Sequence, residues 1–253
     1  MRSLLSAAVT AALAVVVFAG SAAADDWGTV KGRVTWGGKS AYKPEKIEVT
    51  KDQEHCLGKG DLFREEFVVG KNGGVKDVFV WLQDASDPTA KLPIHPSLKK
   101  PKTKEVVMDQ PCCKFVPHAI ALREGQVLIG KNSSPIAHNM HWLGGDDNPG
   151  DNKLIPAGGQ IEITLNASRS PVEVKCDIHG WMKGWVRVFN HPYFALTDAD
   201  GKFEIKNAPA GKYNIVMWQE GVGWVNGGKK GQPIEIPADK TVEVDEKLKP
   251  EDK

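Results

Sequence analysis

An excess of charge of either sign is what this 253-residue sequence most plainly lacks: 33 Lys and Arg stand against 32 Asp and Glu. Nucleic acid and anionic membranes both recruit a positive surface, so neither is expected as a partner. No amphipathic helical pattern runs beyond two turns, which excludes a helical bundle. The four cysteines contain no Cys-x-x-Cys-His, which excludes covalent haem. The apolar run from Leu4 to Phe18 falls short of the ~20 residues that a membrane-spanning helix needs.

What that run does fit is a secretory signal. Arg2 gives a positive start, and Ala22-Ala23-Ala24 presents small residues before Asp25-Asp26, so residues 1–24 are expected to be cleaved after Ala24. A membrane anchor is the alternative reading. Cleavage removes Arg2 and leaves 32 side chains of each sign. No cysteine stands at the cleavage point to carry lipid, so the mature chain is expected to be exported, periplasmic and soluble, with no integral membrane span. In an oxidising compartment cysteines pair by default. If Cys176 is a metal thiolate, Cys56 pairs with one of Cys112 and Cys113, with Cys113 favoured, and one thiol is left over.

Gly and Pro are plentiful, and short apolar runs alternate with turn residues, so the fold class is all-β. Trp27–Trp36 and Lys46–Lys51 read as strands. Glu66–Gly70 and Lys76–Leu82 read as a hairpin on Asn72-Gly73-Gly74. Six further strand candidates run from Ile120 to Phe189, at a spacing that suits a Greek-key sandwich. Asp198-Ala199-Asp200-Gly201 lacks the further carboxylates of an EF-hand loop and reads as a hairpin turn.

The chemistry concentrates in two stretches. Cys176-Asp-Ile-His179-Gly-Trp-Met182 places a thiolate, an imidazole and a thioether three residues apart, between alternating segments that read as an entering and a leaving strand. Upstream, Ser133-Ser134-Pro135 turns the chain toward His138-Asn139. One thiolate and two imidazoles in a plane, with a weak axial methionine, are the ligand set of a blue-copper site. Asn139 is positioned to hydrogen-bond across to the Cys176 loop and tie the two stretches together. Zinc would prefer a closed Cys and His set without thioether. A binuclear copper centre would need a second cysteine in the loop. His141 should point to the opposite face from His138, and His118 reads as a surface or supporting residue.

These motifs resemble the cupredoxins of the plastocyanin, amicyanin and pseudoazurin group. Phe115-Val-Pro117, Glu124-Gly-Gln-Val127, Asn132 and His138-Asn139 match that group's approach to its first ligand. The segment Cys176-x-x-His179-x-x-Met182-x-Gly184 matches its short ligand loop. The resemblance covers about 80 residues and implies one type 1 copper ion held by His138, Cys176, His179 and Met182. It also implies an electron-entry patch of His179, Gly180, Trp181 and Trp142. Ile178 departs from it, since family loops often carry proline there. A second resemblance, to the carboxypeptidase-regulatory or transthyretin-like sandwich, rests on Gly28-x-Val30-x-Gly32-x-Val34, on Thr197-Asp-x-Asp-Gly201-x-Phe203 and on Pro209-x-Gly211-x-Tyr213.

The two halves of that module flank the copper segment. The expected organisation is therefore a discontinuous regulatory-like sandwich, residues 27–105 and 190–248, with a cupredoxin domain at 106–189 inserted between them. Three consecutive domains are the competing division. The combination resembles exported bacterial proteins of the plastocyanin/methylamine-utilisation type. It implies a non-enzymatic carrier of single electrons between periplasmic redox proteins such as cytochromes or oxidoreductases. The alternatives are a copper enzyme or sensor with a labile Met182, and a copper carrier or envelope-binding protein.

Overall fold

The computed structural model describes residues 26–38 and 41–249, so the signal expected at residues 1–24 lies outside the described residues. Its strands are β1 (Trp27–Trp36), β2 (Phe79–Asp84), β3 (Glu105–Asp109), β4 (Ala119–Arg123), β5 (Val127–Lys131) and β6 (His138–Trp142). There follow β7 (Asp151–Ile155), β8 (Gln160–Ile163), β9 (Val172–Lys175), β10 (Lys183–Phe189), β11 (Phe194–Leu196) and β12 (Lys202–Pro209). The last are β13 (Gly211–Gln219), β14 (Gly223–Val225), β15 (Gln232–Ile236), β16 (Thr241–Glu243) and β17 (Glu246–Leu248). One short helix, α1 (Gln53–Cys56), interrupts the first third. The protein is all-β.

Four sheets make two sandwiches. In one, β1 lies antiparallel to β12 and parallel to β16 and β17, facing a sheet ordered β11-β2-β13-β14 with β15 also on β13. Strands from before residue 105 and after residue 190 therefore share hydrogen bonds and one core, in which Val30, Val34, Val80, Leu82, Ile205, Ile215 and Met217 are buried. The other sandwich faces the sheet β4-β10-β9-β6-β7 against β3-β5-β8, around Met108, Phe115, Leu128, Met140 and Val186.

Between the sandwiches lies a third apolar layer. Period-two alternation turns Val80 and Leu82 into the first core while Phe79 and Trp81 of the same strand face the second sandwich. Strand β13 divides in the same way, and Val216 and Trp218 pack with Ala119 and Phe189. A strand covered on both faces reads as a continuous apolar run, as Phe79-Val-Trp-Leu82 does. The buried His118 on one sandwich and Glu220, 10% exposed, on the other close across this layer at 2.6 Å. Burial alone would lower the His118 pKa, but the hydrogen bond and charge of Glu220, with the charges of Glu65 and Asp77, together outweigh it and raise the pKa above its ordinary value.

Three expectations need correction. Residues 46–65 belong with the second core, not with the rest of 27–105. Val49 and Cys56 are buried there, Ile47, Leu57 and Leu62 pack against it, and the Cys56–Cys113 disulfide bonds the segment to it. Lys46–Lys51 is no strand, because it makes only an isolated bridge, Lys46 with Phe63. His118 is buried in the layer between the sandwiches, away from the surface. The turn at Asp198 matches its hairpin reading: Asp198 Oδ1 accepts from Asp200 N and Lys202 N, and Gly201 stands at φ 75, where an added Cβ would meet Val34 O at 2.0 Å.

Candidate metal centre

His138 opens β6, and its position is set by the turn before it. Asn132 is buried, and its Nδ2 donates to Ile136 O at 2.8 Å and Ile155 O at 2.9 Å. Its Oδ1 accepts from Ser134 N and Oγ at 3.1 and 2.9 Å. One side chain thus supplies the pairing that Ser133-Ser134-Pro135 cannot make as a strand. Cys176 follows β9, and β10 begins one residue past Met182, with Lys175 paired to Lys183. Within the loop Cys176 N donates to Met182 O at 3.2 Å and Met182 N donates to His179 O at 2.8 Å.

Asn139 joins the two stretches. Its Oδ1 accepts from Asp177 N at 2.8 Å, Ile178 N at 3.2 Å and the Cys176 thiol at 3.2 Å. Its Nδ2 donates to Asn152 Oδ1 at 2.7 Å. Asn152 lies on β7, a strand with no sequence signature: it is a solvent-exposed edge in which Asp151 to Leu154 show no buried alternation.

The result is a compact donor triangle. His138 Nδ1 and His179 Nδ1 are 3.0 Å apart, and Cys176 Sγ is 3.9 and 4.0 Å from them. All three residues are buried, and so is Met182. A point about 2.0 Å from each nitrogen and in the plane of the three atoms lies about 2.3 Å from the sulfur, which are the lengths of imidazole and thiolate bonds to a divalent ion. The triangle therefore has room for one ion, and a thioether on the same loop suits copper better than zinc, which prefers Cys and His without one.

The protonation states suit a metal as well. Burial first, then the neighbouring His179 and His55, push the His138 pKa down to about 4, so this imidazole is neutral at ordinary pH. His179 Nε2 lies 2.8 Å from Asp52 Oδ2. A carboxylate only accepts, so the proton sits on Nε2 and the Nδ1 lone pair faces inward.

Asp52 is the residue that sequence reasoning missed, and it changes the patch. It stands at the start of α1 in left-handed backbone (φ 48), and the disulfide that follows ends on Cys113, also left-handed (φ 54). Trp181 Nε1 donates to Cys113 O, and its ring lies 5.3 Å from that of His179. The expected electron-entry edge is thus covered: His179 is 0% exposed and Trp142 7%, leaving Gly180 exposed and Trp181 half-buried. The signal that could have found the cap was Cys56, whose partner at Cys113 carries Asp52 to the loop. His141 bonds Asp177 instead of joining the triangle, and Cys112 is a free thiol.

Comparison with solved structures finds likenesses to part of the chain. A methionine-to-glutamine mutant of amicyanin in the Cu(I) state is 17% identical, with a TM-score of 0.31, over 34% of this chain and 82% of that chain. A purple cupredoxin from Nitrosopumilus maritimus is 16% identical, with a TM-score of 0.28, over 32% of this chain and 97% of that one. No family model and no curated protein matches the chain. At such scores the likeness carries no argument about function. Among the described residues no helix is long and apolar enough to cross a membrane.

Proposed function

We propose that this chain is an exported type 1 copper protein that carries single electrons between redox proteins of the periplasm, such as cytochromes or oxidoreductases. His138, Cys176 and His179 would hold one copper ion, with the Met182 thioether on the same loop as a weak fourth donor. The observation that supports this reading most directly is the donor triangle, whose sides suit one ion bound by all three residues. When bound, copper would supply a one-electron couple.

The covered His179 bears on the alternatives. A shielded ligand loop opposes entry of an external ligand, as an enzyme or sensor would need, and opposes ready release, as a copper carrier would need. The partly exposed Asp52 carboxylate links the buried His179 imidazole to the surface by one hydrogen bond, and this is the contact through which the site would exchange electrons. Gly180, Trp181 and Asp52 then form the small contact face that transient redox partners use.

The deciding experiment is to load the mature chain with copper and record visible and paramagnetic-resonance spectra for wild type and Cys176→Ser. The wild type is expected to be intensely coloured, with reversible one-electron reduction and no response to azide. The variant should lose the thiolate-to-copper band entirely. Colour that survives the substitution would refute the assignment.

A further inference from the structure

Away from the donor triangle, a cavity of about 830 Å³ opens where the two sandwiches meet. Four cations line it, Arg169, Arg187, Lys229 and Lys230, against one carboxylate, Asp147. Its aromatic walls are Trp81, Phe189 and Trp224. Lys229 and Lys230 stand on an exposed single turn, anchored because Gln83 Nε2 donates to both of their carbonyls. Lys229 Nζ lies 5.6 Å from the Trp224 ring centre.

Arg187 is the feature that calls for a ligand. It sits on β10, only 6% exposed, with its guanidinium 3.6 Å over Trp81 and 4.4 Å from Phe189. Nε and Nη1 are buried and find no protein acceptor, and among the described residues no carboxylate pairs with it. Burial alone pushes its pKa down to about 9, which registers how poorly the charge is compensated. Stacking on an aromatic face returns part of the cost of burying a cation, but an unpaired guanidinium remains expensive, and a hydrophobic residue of like size would glue the sandwiches without that cost. An anion in the cavity relieves that cost.

We propose that this cavity binds a small aromatic carboxylate. The carboxylate would meet Arg187 and the lysine turn, and the ring would lie against Trp224, since Arg187 already covers the face of Trp81. The volume is that of a small-molecule site, and half-apolar walls with a few convergent charges are what such a ligand needs. Inorganic phosphate would use the cations and leave the aromatic walls idle.

The test uses the full mature chain and calorimetry with indole-3-acetate, its neutral amide and inorganic phosphate, each up to about 10 mM, ample for a ligand of this size in a formed pocket. Indole-3-acetate should bind once and saturably, with the amide and phosphate each weaker by about tenfold or more, the loss of one charge-assisted contact or of the stacked ring. The Lys229→Ala/Lys230→Ala double variant, confined to an exposed turn, should weaken binding by about threefold or more with an unchanged unfolding midpoint. Arg187→Met should abolish it, and if that variant does not fold, the lysine pair decides. No saturable binding, equal binding of the amide or of phosphate, or indifference to the lysine variant would each overturn the proposal.

Discussion

Asp52→Ala removes the acceptor that holds His179, and its effect follows from the geometry. The buried His179 Nε2–H loses its 2.8 Å partner, and an unpaired buried donor costs about 1–3 kcal/mol. Asp52 is itself 38% exposed, so water can take over part of its role, which moves the expectation to the lower half of that range. Outer partners of ligating histidines are worth about 10–100-fold in metal affinity, so a loss near tenfold is expected here. Chelator competition for copper measures it. Asp52→Asn keeps an acceptor oxygen without the charge and should stay within about threefold of wild type. Nitrogen chemical shifts of His179 in the metal-free protein give a second readout, since the Nε2–H tautomer should be fixed in wild type and mixed in the alanine variant. An affinity change below about twofold, under ~0.4 kcal/mol, would refute the idea that Asp52 orients the ligand.

Met182→Leu should leave the colour of the copper-loaded protein and raise its reduction potential, read by voltammetry, because a weak axial donor is removed. Glu220→Ala should destabilise the contact between the sandwiches by about 3 kcal/mol near pH 6, since it strips the partner from a buried His118. The His118 pKa is raised, so this contribution is whole below the unfolded value near 6.5 and fades as pH rises through the folded value; urea unfolding at pH 6 and pH 9 should show the gap narrowing. His191 runs the other way. Burial first, then Arg187 and Arg123, push its pKa down to about 3, so stability is whole above ~6.5 and falls by about 1.4 kcal/mol per pH unit below it. His191→Gln should flatten that acid slope by one proton in urea titrations at pH 7, 5 and 4.

The all-β class, the paired motifs around His138 and Cys176 and the hairpin at Gly201 were legible in the sequence because each is local. Period-two alternation, turn residues and ligands three apart in one loop need no knowledge of distant chain. Strand β7 left no trace because an exposed edge strand buries nothing and so has no alternation to read. Residues 46–65 misled for the opposite reason: Ile47 and Val49 do alternate with exposed neighbours, but the segment finds no ladder partner beyond the isolated Lys46–Phe63 bridge.

By itself the sequence determined which atoms are available to a metal and the spacing that lets three of them sit on one loop. Tertiary structure alone decided that His179 is sealed under Asp52, that Arg187 lies buried and unpaired between two sandwiches, and that Asn139 leans on Asn152. Each is a contact between residues far apart in the chain, the Asp52–His179 pair being 127 positions apart. Local pattern fixes a residue's chemistry and its face, but only the closure of distant segments fixes what that face meets.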